Sequence, residues 1–259
     1  MVESEDLILE KCKDILRVSL AHAEMVWDNI GSTLTHHALN AKDASAREMV
    51  MDSVQTNIPG HEVIEPLIPE KGNFIALVID IRESTKHLRV LAGKKGIGCL
   101  QRVFYETTGL LAVSTYIIEN YSGKVTEYLG DGLLAFFNCK DNFDQIQRYS
   151  FRAAKMCFRA FDEILNPELK RRYDIPALSA GIGMAYSDAM VTTTGIYGSL
   201  HPKVIGICVY EASKLSVGEN KIIVTKTLRN KWPSSKGGRV NFKIYKNSRI
   251  DIPAYEIDY

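Results

Sequence analysis

Residues 74–81, FIALVIDI, limit what this chain can fold into more than any other stretch. The run is nearly all apolar and β-branched, so it reads as a central strand buried on both faces. It carries a carboxylate, Asp80, at its end. An unpaired charge inside a core is strongly unfavourable, so packing alone gives Asp80 little reason to be there. The fold must bury this strand mid-sheet and bring Asp80 out where something can answer its charge.

From Asn73 onward, strand and helix patterns alternate. Residues 96–121 carry a helical pattern in Ile97, Leu100, Val103, Phe104, Leu110, Leu111, Val113 and Ile117. Strands follow at 124–129 and 132–138, joined by a tight hairpin through Leu129-Gly130-Asp131-Gly132. A second helix spans 143–165 and ends at Pro167. Strands are expected at 177–186 and 189–196, then a glycine-containing loop. After it come a short helix at 207–216, a strand at 221–225, a helix at 226–232 and closing strands at 240–246 and 253–258. The order βα-ββ-αβ within 74–186 predicts an α+β fold with a ferredoxin-like βαββαβ core.

In such a sheet the first strand lies beside the hairpin. Asp80 and Asp131 then converge although they are 51 positions apart (131 − 80). Two hard oxygen donors suit Mg²⁺ or Mn²⁺, and two metals roughly 3.5–4 Å apart suit phosphoryl transfer. The segment after Asp80, IRESTK, which includes Ser84 and Thr85, offers backbone N–H groups to a triphosphate.

The first 72 residues read as a helical appendage and linker, and 73–259 as the catalytic domain. Ser4 can cap a helix with Glu5 and Asp6 in its first turn. Leu9, Cys12, Leu16, Leu20, Ala23, Val26 or Trp27, and Ile30 form an apolar stripe. That stripe needs a partner: the domain itself, a second subunit or another protein. A second helix is possible from 41, before breaks at Pro59-Gly60, Pro66 and Pro69.

Composition narrows the function classes. The 32 basic and 31 acidic residues nearly cancel, which argues against nucleic acid or an anionic membrane as partner. No apolar run approaches the roughly 18–20 residues of a membrane span. The acidic start is unlike a secretory signal. Five scattered cysteines without CxxC spacing point to a reducing compartment, so a cytoplasmic protein is expected. The adjacent His36 and His37 lack metal-ligand spacing.

DIREST, taken with GKVTEYLGDGLLAFF, resembles the catalytic domain of class III nucleotidyl cyclases. That family is marked by a strand ending D-I-x-G-[FS]-T and a later G-D-G/A-x-[LM]-A-F hairpin. The resemblance continues through SAGIGMAYSDA, VIGICVYEASKLS, KIIVT and AYEID, and covers about residues 73–258. It implies that Asp80, Asp131 and the Ile81 carbonyl hold two divalent ions. It also implies a nucleoside triphosphate substrate and a homodimer whose active sites lie at the subunit interface.

Three positions depart from the family. Glu127 and Lys203 occupy the base-reading positions, so a carboxylate that accepts an N–H stands with an ammonium that donates to a carbonyl. Adenine has no carbonyl and matches poorly; guanine, uracil and cytosine each offer an N–H with a carbonyl. Alternatively, the two side chains pair with each other. Tyr210 and Lys214 stand where the family has its transition-state asparagine and arginine. Glu83 replaces the phosphate-loop glycine and is expected to face solvent, with Arg82 or Lys86 offsetting its charge. Intact metal aspartates with altered purine-reading positions look like the pyrimidine (uridylate or cytidylate) cyclases of bacterial Pycsar antiphage systems. The alternatives are a guanylate or adenylate cyclase, and a catalytically silent nucleotide-binding module on the same fold.

Overall fold

A computed structural model describes residues 2–28, 53–66, 68–90, 96–196, 199–233 and 240–258. In chain order the elements are α1 (Glu5–Val26), β1 (Val54–Gln55), β2 (Val63–Ile64), β3 (Glu70–Ile81), α2 (Ser84–His87), α3 (Cys99–Asn120), β4 (Lys124–Leu129) and β5 (Gly132–Asn138). Then come α4 (Phe143–Ala160), α5 (Asn166–Tyr173), β6 (Ala180–Ile196), β7 (Ser199–Gly206), α6 (Ile207–Leu215), β8 (Lys221–Thr225), α7 (Lys226–Asn230), β9 (Asn241–Tyr245) and β10 (Ala254–Asp258). The main sheet runs β4-β5-β3-β6-β8-β10-β9, with β7 added to β6. Only the β6–β8 pairing is parallel among these. Strands β4-β5-β3-β6 form the expected ferredoxin-like order.

The alternation of β3 divides the interior. Ile75, Leu77, Ile79 and Ile81 point into the larger core with α1, α3 and α4. Phe74, Ala76 and Val78 point the other way, against Ile58, Ile64, Cys208 and Ala212. β3 is therefore covered on both faces, as its composition requires.

The stripe on α1 belongs to the larger core. Ile8, Cys12, Leu16, Leu20 and Ala23 are all at most 1% exposed, and the helix lies along α3. The Ser4 side chain accepts the Leu7 N–H, as an N-cap should. Ile30, the histidine pair and the possible second helix from 41 lie outside the described residues, except that 53–64 form a small hairpin rather than a linker.

Three expectations are corrected. Pro167 does not end the helix begun at 143. The chain passes through a π-helical turn, Phe161–Leu165, in which the Asn166 N–H reaches back to the Phe161 carbonyl. The wider turn accommodates a proline that has no N–H to give, and α5 continues from there. Second, 177–186 and 189–196 are not two strands. β6 is continuous through Ser187 and Asp188, because the Ser187 hydroxyl accepts the Cys208 N–H at 3.0 Å and Asp188 pairs with Lys71 at 2.7 Å. Third, the loop before α6 is largely a strand, β7. Pro202 in it faces Thr193 of β6 on a strand that pairs with no other among the described residues, where a missing N–H costs nothing. Among the described residues no helix is long and apolar enough to cross a membrane.

Leu16→Ala should lower unfolding free energy by about 2–5 kcal/mol in urea titrations, and an unchanged midpoint would mean α1 is not docked. Hydrogen bonds from Arg171 and then Arg172 hold the Glu168 carboxyl down from 4.5 to about 2, against burial acting the other way. A depressed carboxyl stabilises the fold above its unfolded value and ceases to do so as pH falls towards about 2. Glu168→Gln should therefore cost about 1 kcal/mol at pH 7 and nothing measurable near pH 2.

Candidate active site

Asp80 sits in register between Gly132 of β5 and Gly181 of β6. Asp131 precedes Gly132 at the tip of the β4–β5 hairpin, and its backbone carbonyl accepts the Ile81 N–H at 3.2 Å. This register brings both carboxylates to one end of the sheet. Both are partly exposed, so a ligand can reach them.

The loop after β3 surrounds the pair. The Arg82 N–H donates to the Ser179 carbonyl at 2.8 Å, and its guanidinium turns back onto the Asp80 carboxylate. Burial lowers the pKa of that guanidinium, while the Asp131 charge pulls it up again. The Ser84 hydroxyl donates to Asp131. Thr85 is exposed beside it. Glu83 has φ 61°, in the left-handed region that favours glycine. This explains why the resembled pattern has glycine here. The Glu83 side chain is exposed as expected, and Lys86 rather than Arg82 answers it, holding its carboxyl below the usual range.

A trio of half-buried His87 with buried Arg102 and Glu106 ties this loop to α3. His87 Nδ1 lies 2.7 Å from Glu106 Oε2, and Arg102 Nε donates to Glu106 Oε1 at 2.9 Å. Sequence reasoning did not single these residues out. The visible signal was a charged i, i+4 pair, Arg102 and Glu106, inside an otherwise apolar helix pattern.

Glu127 on β4 and Lys203 on β7 are separated by three strands in sheet order, yet their side chains meet. Lys203 Nζ donates to Glu127 Oε1 at 2.8 Å and to Oε2 at 2.9 Å. A register shift between Val125 and Glu127 re-aims the glutamate on its strand. Of the two arrangements open from sequence, this one is the mutual pair.

Tyr210 and Lys214 lie one turn apart on the exposed side of α6, with Lys214 Nζ 5.8 Å from the Tyr210 ring centroid. Among the described residues, no hydrogen bond or ion pair joins either to Asp80, Asp131 or Glu127. The position of α6 depends on two glycines of β6. A Cβ at Gly183 would stand 2.1 Å from the Ala212 carbonyl oxygen, and one at Gly181 would stand 2.1 Å from that of Ser216. Gly181 faces Asp80 across the ladder, so the C-terminal end of α6 lies at the same sheet end as the carboxylates.

No protein-family model and no curated protein sequence matches the chain. Solved structures do match in shape. The guanylyl cyclase Cya2 superposes with TM-score 0.60 at 15% identity, covering 73% of this chain and 92% of that one. The adenylyl cyclase CyaB from P. aeruginosa gives TM-score 0.58 at 14% identity, covering 74% and 97%. The guanylate cyclase domain of RhGC from Catenaria anguillulae, in complex with GTP, gives 0.53 at 12% identity, covering 73% and 98%. The chain has the class III cyclase fold.

The Glu127–Lys203 pair is partly solvated, so its worth is modest. A double-mutant cycle with Glu127→Gln and Lys203→Met should give a coupling of about 0.5–1 kcal/mol that shrinks at high salt. A coupling indistinguishable from zero at low salt would mean the pair does not form.

Proposed function

We propose that this protein is a nucleotidyl cyclase that converts UTP or CTP into the 3′,5′-cyclic nucleotide and pyrophosphate. The observation that carries the reading is the meeting of Asp80 and Asp131 at one sheet end, beside the Ser84–Thr85 turn, on this fold.

The donor set there fits two Mn²⁺ or Mg²⁺ ions. The Asp80 and Asp131 carboxylates and the Ile81 carbonyl are hard oxygens, and the Arg82 guanidinium against Asp80 indicates that the spot favours positive charge. No group of three or more His, Cys, Asp or Glu suited to a metal occurs among the described residues. Two carboxylates therefore leave positions for substrate phosphates and water. Bound there, such ions supply acidity to the ribose 3′-hydroxyl and neutralise charge at the α-phosphate.

The chain's own groups do the rest. Ser84 and Thr85 open a turn whose first N–H groups have no helical acceptor, which suits phosphate oxygens. Lys214 donates to the α-phosphate as a point charge, and Tyr210 contacts the ribose, both from a second copy of the chain. A homodimer with shared sites is supported by exposed Met190, Ile205, Ile207 and Tyr210 on β6, β7 and α6. Glu127 accepts a base N–H while Lys203 donates to a base carbonyl, which disfavours ATP. The product then serves as a second messenger in antiviral defence, the role that the Pycsar resemblance implies.

Guanylate cyclase is the second reading. Guanine N1–H and O6 also match the Glu127–Lys203 pair, and one structural neighbour is a guanylate cyclase domain in complex with GTP.

Asp80→Asn and Asp131→Asn should each cut Mn²⁺-dependent pyrophosphate release by at least about 100-fold. Their unfolding midpoints should stay close to that of the wild type. Near-normal turnover by either variant would contradict the two-carboxylate assignment.

A further inference from the structure

A cavity of about 560 Å³ opens around the Glu127–Lys203 pair. One side is built from Thr126 and Glu127 of β4, with His201, Pro202 and Lys203 of β7. The other is built from Gln55, Thr56, Asn57 and Ile58, which precede the main sheet. The volume lies in the range of small-molecule sites.

This second wall is fixed, not draped. Ile58 is 2% exposed and packs in the smaller core with Ile64, Phe74 and Phe136. Asn138 donates from Nδ2 to the Pro59 carbonyl at 2.9 Å, anchoring the hairpin to β5. The Thr56 N–H donates to the Glu62 carbonyl at 2.8 Å, and the Thr56 hydroxyl accepts the Ile58 N–H at 2.7 Å. Thr56 is thus committed to holding the hairpin. Gln55 and Asn57, on either side of it, are exposed and line the cavity. Their amides carry no hydrogen bond among the described residues.

The chemistry of a pyrimidine asks for such groups. Its pairing edge presents three polar positions: O2, N3 and the substituent at C4. The carboxylate and ammonium of Glu127 and Lys203, bound to each other at 2.8 and 2.9 Å, can serve two adjacent positions. A third contact needs a neutral group that can donate to a carbonyl, and an amide does so without a net charge to desolvate.

We infer that Gln55 and Asn57 are base-reading residues of this cavity, donating amide N–H groups to a pyrimidine carbonyl across from Glu127 and Lys203. The inference rests on the cyclase reading of the site. It makes the 53–64 hairpin part of the specificity machinery.

The test uses full-length Gln55→Ala, Asn57→Ala and the double variant. Both side chains are exposed, so unfolding midpoints should match the wild type. KM and kcat are measured for UTP, CTP, GTP and ATP with Mn²⁺, and calorimetry measures binding of the same four nucleotides. For the preferred pyrimidine, the double variant should raise KM by about 5- to 20-fold and leave kcat within about twofold. Its preference over the other three should narrow. An unchanged KM and unchanged preference overturns the inference while leaving the cyclase reading intact. If the wild type turns over none of the four, the cyclase reading fails by itself. Calorimetry then decides the inference: weaker pyrimidine binding by the double variant supports it, and equal binding, or none by either protein, overturns it.

Discussion

A strand buried on both faces can hold a charge only at its end. β3 meets that constraint with an alternating set of apolar side chains, Phe74 through Ile79, divided between two cores. Each core draws in other elements: α1, α3 and α4 on one face, and α6 with the small β1–β2 hairpin on the other. Because β5 pairs with β3 in a register that sets Gly132 opposite Asp80, the hairpin tip must deliver Asp131 to the same place. Because β6 presents Gly181 and Gly183, α6 can lie close against the sheet and end there too. The candidate site is thus a consequence of how the central strand is buried.

At that end, several charges find a local answer. Arg82 lies on Asp80, Ser84 donates to Asp131, and Lys86 pairs with Glu83. These contacts are partly or fully solvated and individually weak. Their weakness suits a binding site. In the proposed reaction, an incoming triphosphate with its cations would offer stronger, multivalent charge pairing and replace these internal partners without unfolding anything. The Arg102–Glu106–His87 trio differs, since its carboxylate is shielded from water and holds the 82–87 loop to α3.

Much of this could be read from sequence, and the reasons are local. FIALVIDI declared a central strand, and GDG between two apolar runs declared a hairpin; both strands of that hairpin have the expected bounds. Ser4 and the α1 stripe were equally plain. What escaped were features set by tertiary partners. The continuity of β6 across Ser187 and Asp188 depends on Cys208, Lys71 and Asn73, none of which is near in sequence. β7 was hidden by Pro202, which is tolerated only because its strand lies at an edge. The π turn before Pro167 has no reliable sequence signature. Sequence left the mutual Glu127–Lys203 pair open as one of two arrangements, because choosing it requires a sheet that brings two distant strands together; the contribution of Gln55 and Asn57 to the same cavity requires knowing where the hairpin docks.

The proposed pyrimidine cyclase activity rests on two convergent carboxylates and a Glu–Lys base reader. Its most direct test is competitive. An equimolar mixture of ATP, GTP, CTP and UTP is incubated with the full-length protein and Mn²⁺, and the products are identified by mass. Cyclic UMP or cyclic CMP is the expected main new species. Cyclic GMP or cyclic AMP alone, or four unchanged triphosphates, would contradict it.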